Sequence, residues 1–121
     1  MIVGLGVDVV DLARFERAVS RTPRLKARLF APDELVVDGR ERPVRSLAAR
    51  FAAKEAARKA LGAAAGMRWV DLAVVAGPEG EPILDLRGTA AERAAAIGAV
   101  RVHVSMSHDA GIATATVIAE S

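Results

Sequence analysis

A chain of 121 residues, 52% hydrophobic and 26% charged, has the composition of one globular domain over residues 1–121, too short for two and too apolar for disorder. It has no cysteine and no apolar run near the roughly 18 residues that cross a bilayer, which excludes disulfides, thiolate metal sites and a membrane span and suits a cytoplasmic protein. The formal charge is only +2, and with no Tyr and only four aromatics, Phe15, Phe30, Phe51 and Trp69, there is no stacking platform for single-stranded nucleic acid.

The start, MIVGLGVDVV, has neither the basic flank nor the cleavage site of a signal peptide. From Ile2 to Val10 it alternates with period two: Val3, Leu5, Val7 and Val9 share one face of a strand, and Gly4, Gly6, Asp8 and Val10 the other. Glycines beside Asp8 leave room for a backbone or ligand to approach that carboxylate. Asp11 is the N-cap candidate for a helix, LARFERAVSR, that buries Leu12, Phe15 and Val19 and turns Arg14, Arg17 and Arg21 outward. Arg24, Lys26 and Arg28 extend this basic run, which is either a solvated face or a dock for an acidic partner.

A helical turn is expected at Ala31 to Val37, followed by an exposed loop, VDGRERP, and a long helix from Ser46 to Ala65 with Gly66 as its stop. Trp69 to Ala76 reads as a strand, GPEGEP as a turn and Ile83 to Leu86 as the return strand. Thr89 to Ile97 reads as an alanine-rich helix, and Val100 to Ser107 with Ile112 to Ala119 as a hairpin around HDAG. The fold class is α+β, a mainly antiparallel sheet packed against a long helix.

The long helix carries the densest chemistry. In FAAKEAARKA, Glu55 lies four residues after Phe51 and four before Lys59, so the three share a face. Glu55–Lys59 is either an exposed helix pair of about 0.3–0.5 kcal/mol or part of a site. The chain writes fourteen Arg against three Lys, yet Lys54 and Lys59 both fall in this motif, where a compact ammonium suits a phosphate. No nucleotide-binding glycine loop is present, and His103 and His108 alone are too few for catalytic zinc. What remains is a hard-cation site from Asp8 and Glu55, of the kind Mg²⁺ uses with substrate phosphates, with Arg50, Lys54 and Lys59 on or beside the same helix. In HVSMSH, His103, Ser105 and Ser107 share a strand face and could bind phosphate or shuttle a proton.

Gly6-Val7-Asp8, the FxxKExxxK run from Phe51 to Lys59 and Ser105-Met106-Ser107-His108 together resemble the small phosphopantetheinyl transferases, the holo-acyl-carrier-protein synthases. Leu29-Phe30 with Glu34, Trp69 with Asp71 and Gly80 with Pro82 echo secondary positions, and the resemblance spans nearly the whole chain. It implies transfer of the 4′-phosphopantetheine arm of coenzyme A to a serine of an apo acyl carrier protein, of fatty-acid or polyketide type, releasing adenosine 3′,5′-bisphosphate. It implies Mg²⁺ on Asp8 and Glu55, Lys59 on the pyrophosphate, Arg50 and Lys54 near the nucleotide phosphates, and His103, Ser105, Ser107 and His108 on the nucleotide side. A metal-bound water, or else Glu55, would take the serine proton, with Asp109 as a helper. It further implies a homotrimer with interfacial sites and docking of the acidic carrier on Arg14, Arg21, Arg24 and Arg28. Arg58 and the VDGRERP loop depart from the family pattern. The competing reading is a non-catalytic basic module for an acidic protein or RNA, in which Asp8 has no use.

Overall fold

The computed structural model describes residues 1–62 and 66–121. Strand β1 (Ile2–Asp11) leads directly into helix α1 (Leu12–Arg21), whose first turn is capped by Asp11, its carboxylate accepting from the Arg14 N–H at 2.8 Å. Two short helices follow, α2 (Leu25–Leu29) and α3 (Pro32–Leu35). The expected helical turn is α3, and where a loop was expected the chain makes a small hairpin, β2 (Val36–Val37) and β3 (Arg40–Glu41). Asp38 and Gly39 both have positive φ, 53° and 75°, the left-handed pair that a two-residue hairpin turn requires and that an Asp-Gly dipeptide supplies.

Helix α4 (Val44–Leu61) is the long helix; it starts two residues earlier than expected and stops at Gly62, with φ of 74°, rather than at Gly66. The expected continuation over 63–65 lies outside the described residues. Trp69–Asp71 is a 3-10 turn rather than strand, and only then does β4 (Leu72–Ala76) begin, paired with β5 (Pro82–Leu86). Helix α5 (Gly88–Ala96) precedes the long hairpin β6 (Arg101–Asp109) and β7 (Ile112–Glu120), turned by Ala110 and Gly111 alone.

The main sheet is antiparallel with order β1-β7-β6, and α4 lies across one face of it. The face it covers is Gly4, Gly6 and Asp8 of β1 together with Ala113, Ala115, Val117 and Ala119 of β7, all four of the latter fully buried. A Cβ on Gly6 would overlap the Ala56 carbonyl, and one on Gly4 the Ala60 carbonyl, so glycine here sets how closely helix and strand approach. Small residues thus draw Asp8 against the last turns of α4. The other face of the sheet carries Val3, Leu5, Val7 and Val9, exposed in the isolated chain by 38%, 64%, 56% and 57%.

Candidate active site

Asp8 leaves β1 toward α4, where Lys59 reaches it: the Lys59 ammonium donates to Asp8 Oδ1 at 3.0 Å and to the Val7 carbonyl at 2.9 Å. Lys59 therefore spans to the strand instead of pairing along the helix with Glu55. Phe51, Glu55 and Lys59 do share one face, and all three line the same cavity of about 710 Å³ with Asp8. Partial burial first, and the charge of Asp8 second, push the Glu55 carboxyl above its ordinary value, against the pull of Arg58 and Lys59. Two carboxylates held near each other under partial burial make a site that favours added positive charge. Among the described residues there is no cluster of three or more His, Cys, Asp or Glu side chains, so a cation here would take few protein oxygens.

The same cavity has an apolar wall. Phe15, Phe51 and Trp69 form a row with ring centroids 5.7 and 5.4 Å apart, so the carboxylates open onto aromatic surface. Arg14 of α1 and Arg28 of α2 stand at its rim, while Arg21 and Arg24 are exposed farther along the same basic run. The aromatic wall was missed in the sequence, although Phe51 at four residues before Glu55 was its signal.

A second cavity, of about 520 Å³, lies between the first half of α4 and the end of β6, lined by Arg45, Ser46, Arg50, Met106, Ser107 and His108. Arg50 donates to Ser46 Oγ at 2.6 Å, but its Nε is buried without a hydrogen-bond partner among the described residues. Burial, reinforced by the charge of Arg42, pushes its pKa down to about 10. It stays cationic at neutral pH with little to balance it, a setting in which an anion is welcome. Arg45 and Ser46 were not foreseen.

Three expectations change. Lys54 is not a phosphate ligand: it is fully buried, donating to Glu34 Oε1 at 2.7 Å, to the Leu72 carbonyl at 2.9 Å and to the Trp69 carbonyl at 3.0 Å. Every ammonium proton is engaged, and no face of it reaches either cavity. His103 and Ser105 do not join Arg50 or Glu55 within one chain, because period two turns them to the sheet face away from α4, where His103 Nε2 meets Glu120 Oε1 at 2.7 Å. Val102, Val104, Met106 and His108 of this strand face the helix side, and of these only His108 is polar. Asp109 is exposed at the strand end, where its carboxylate accepts from the Ala110 N–H at 2.9 Å, and it is not brought to Asp8 and Glu55.

A family model, the 4′-phosphopantetheinyl transferase superfamily, matches residues 4–115. The chain belongs to that superfamily. It is similar to a holo-[acyl-carrier-protein] synthase of Clavibacter michiganensis, 57% identical over 120 residues that cover 99% of this chain and 97% of that protein. The synthase of Streptomyces coelicolor is 56% identical, with 98% of each chain covered. Among solved structures, the holo-[acyl-carrier-protein] synthase of Neisseria meningitidis superposes with a TM-score of 0.88 at 32% identity over 100% of both chains. That of Helicobacter pylori, in complex with coenzyme A, superposes with a TM-score of 0.82 at 31% identity, covering 96% of this chain and 99% of the other. No helix among the described residues is long and apolar enough to cross a membrane.

Proposed function

We propose that this transferase moves 4′-phosphopantetheine from coenzyme A to a serine hydroxyl of an apo acyl carrier protein, using the Asp8, Glu55 and Lys59 cluster. The serine oxygen bonds to the phosphorus that bears the pantetheine. The bond from that phosphorus to the bridging pyrophosphate oxygen breaks, and adenosine 3′,5′-bisphosphate leaves. The observation that carries the assignment is the pair of carboxylates, one on β1 and one on α4, that line one cavity together with Lys59, which is bonded to Asp8.

Asp8 and Glu55 fit Mg²⁺, which takes one or two protein carboxylates and fills its remaining positions with water and phosphate oxygens. Bound there, the ion would neutralise charge on the pyrophosphate. Lys59, half exposed and tethered to Asp8 and the Val7 carbonyl, is placed to meet a phosphate oxygen. Arg50 and His108 face the second cavity, which suits the nucleotide phosphates. Of this chain's own side chains, Glu55 in the same cavity is the candidate to accept the serine proton.

The carrier docks on the arginine run, with Arg14 and Arg28 at the rim of the catalytic cavity and Arg21 and Arg24 beyond. The outer sheet face, apolar along β1 and bearing His103 and Ser105 along β6, is where a second copy packs; a head-to-tail ring of three would deliver those two residues to a neighbour's site. Residues 1–121 act as a single phosphopantetheinyl transferase domain, and the proposed setting is the cytoplasm, where coenzyme A is supplied.

Asp8→Ala and Glu55→Ala should each lower transfer by about a thousandfold with carrier binding intact, since both act at the reacting phosphate; full activity in either variant refutes the assignment. Arg14→Glu should weaken carrier binding by about 1 kcal/mol and flatten its salt dependence, whereas an unchanged salt slope returns the stripe to plain solvation. Light scattering reads the ring: Leu5→Arg should convert trimer to monomer, and a wild type that is already monomeric contradicts it.

A further inference from the structure

Between Phe51 and Leu61 every fully buried side chain of α4 is alanine except one. Ala52, Ala53, Ala56, Ala57 and Ala60 present a smooth surface to the sheet, close enough to touch Gly4 and Gly6 but without ridges to resist rolling or sliding. Lys54 is the exception. Its ammonium crosses to Glu34 of α3 and to the carbonyls of Trp69 and Leu72, and Glu34 in turn accepts from the Ala31 N–H at 2.9 Å and the Val74 N–H at 3.0 Å. The network is closed, since both side chains are fully buried and each polar atom is matched. It ties α4 at one point to α3, the 3-10 turn and β4.

We propose that Lys54 and Glu34 are positioning residues for the transfer: their buried ion pair fixes the rotation of α4 about its own axis and so holds Glu55 against Asp8. The inference rests on the reading of Asp8 and Glu55 as the working carboxylates. Lys54 and Glu55 share a peptide bond, so the pin acts one residue from the group it orients. A side-chain tip about 5–6 Å from a helix axis moves about 2 Å for a roll of about 20°. A misplacement of about 1 Å can cost about a hundredfold in rate, so a small roll suffices.

The test is the double variant Glu34→Gln/Lys54→Met, which removes both charges at similar volume and leaves neither ion unpaired. It is compared with Leu47→Ala, a stability control at a fully buried position of α4 outside the network, and with Asp8→Ala. Turnover, KM for the carrier and Mn²⁺ binding to metal-free protein by water-proton relaxation are read at a temperature where melting curves show each variant folded. The double variant should lose about 10–100-fold in kcat and bind Mn²⁺ about threefold or more weakly, with KM for the carrier within about twofold. Leu47→Ala should melt lower yet keep kcat within about twofold. Should the double variant not fold, Glu34→Asp carries the test, because it keeps both charges and shortens one arm; its kcat should fall about fivefold or more. Wild-type kcat and Mn²⁺ affinity in the double variant, or in Glu34→Asp where that carries the test, alongside an inactive Asp8→Ala, would overturn the inference. So would an equal kcat loss in Leu47→Ala, while an active Asp8→Ala would sink the underlying assignment instead.

Discussion

Two lysines on one helix meet two carboxylates with opposite consequences. Lys54 and Glu34 are 2.7 Å apart with both side chains at 0% exposure, and every donor and acceptor is used. Lys59 and Asp8 are 3.0 Å apart with 54% and 19% of their side chains exposed, and Glu55 beside them adds a second carboxylate that no side-chain hydrogen bond among the described residues engages. The first pair is complete and has nothing left to offer a ligand. The second carries unbalanced charge at the wall of a cavity, and it is that surplus which chemistry can use.

Breaking each pair from its lysine sharpens the contrast. Lys54→Met leaves Glu34 charged and alone in the core, so unfolding free energy should drop by about 3–5 kcal/mol. Lys59→Met should lose less than about 1 kcal/mol, because Lys59 itself is half exposed, while transfer falls by about a hundredfold or more. Denaturant melts and turnover on the two variants decide it; a Lys59→Met protein as unstable as Lys54→Met would erase the distinction.

The smallest expected effect is on pH dependence. Burial and Asp8 raise the Glu55 carboxyl, so the folded chain holds this proton more tightly than the unfolded one does. The associated stability is full below the ordinary glutamate value of 4.5 and is lost as pH rises through the raised value. Glu55→Gln should therefore melt about 1–4 °C above wild type at pH 7 without divalent metal, with the gap closing toward pH 4. A lower Tm for Glu55→Gln at pH 7 would mean that Glu55 is stabilising and the carboxylates are not in conflict.

Much of this could be read from the residues. The alternation of β1 put Asp8 beside glycines, and those glycines are what let α4 approach. Asp11 capped α1 as its position required, and Phe51, Glu55 and Lys59 fell on one cavity wall through helical spacing alone. What could not be read was destination. Lys54 and Lys59 are chemically identical and five residues apart; only tertiary packing, with Glu34 twenty residues away from Lys54, sends one inward. The strand β6 posed the same problem: period two separates His103 and Ser105 from His108, but which face meets α4 depends on the β7 register. The β2–β3 hairpin was legible in principle from Asp38-Gly39, and the charge of the surrounding loop obscured it.

The central claim is that the cluster of Asp8, Glu55 and Lys59 transfers phosphopantetheine, and mass spectrometry of an apo acyl carrier protein tests it most directly. Incubated with coenzyme A, Mg²⁺ and wild-type protein, the carrier serine should gain the mass of one phosphopantetheine, and it should gain nothing with Asp8→Ala. An unmodified carrier with the wild type, or an undiminished gain with Asp8→Ala, would contradict the account.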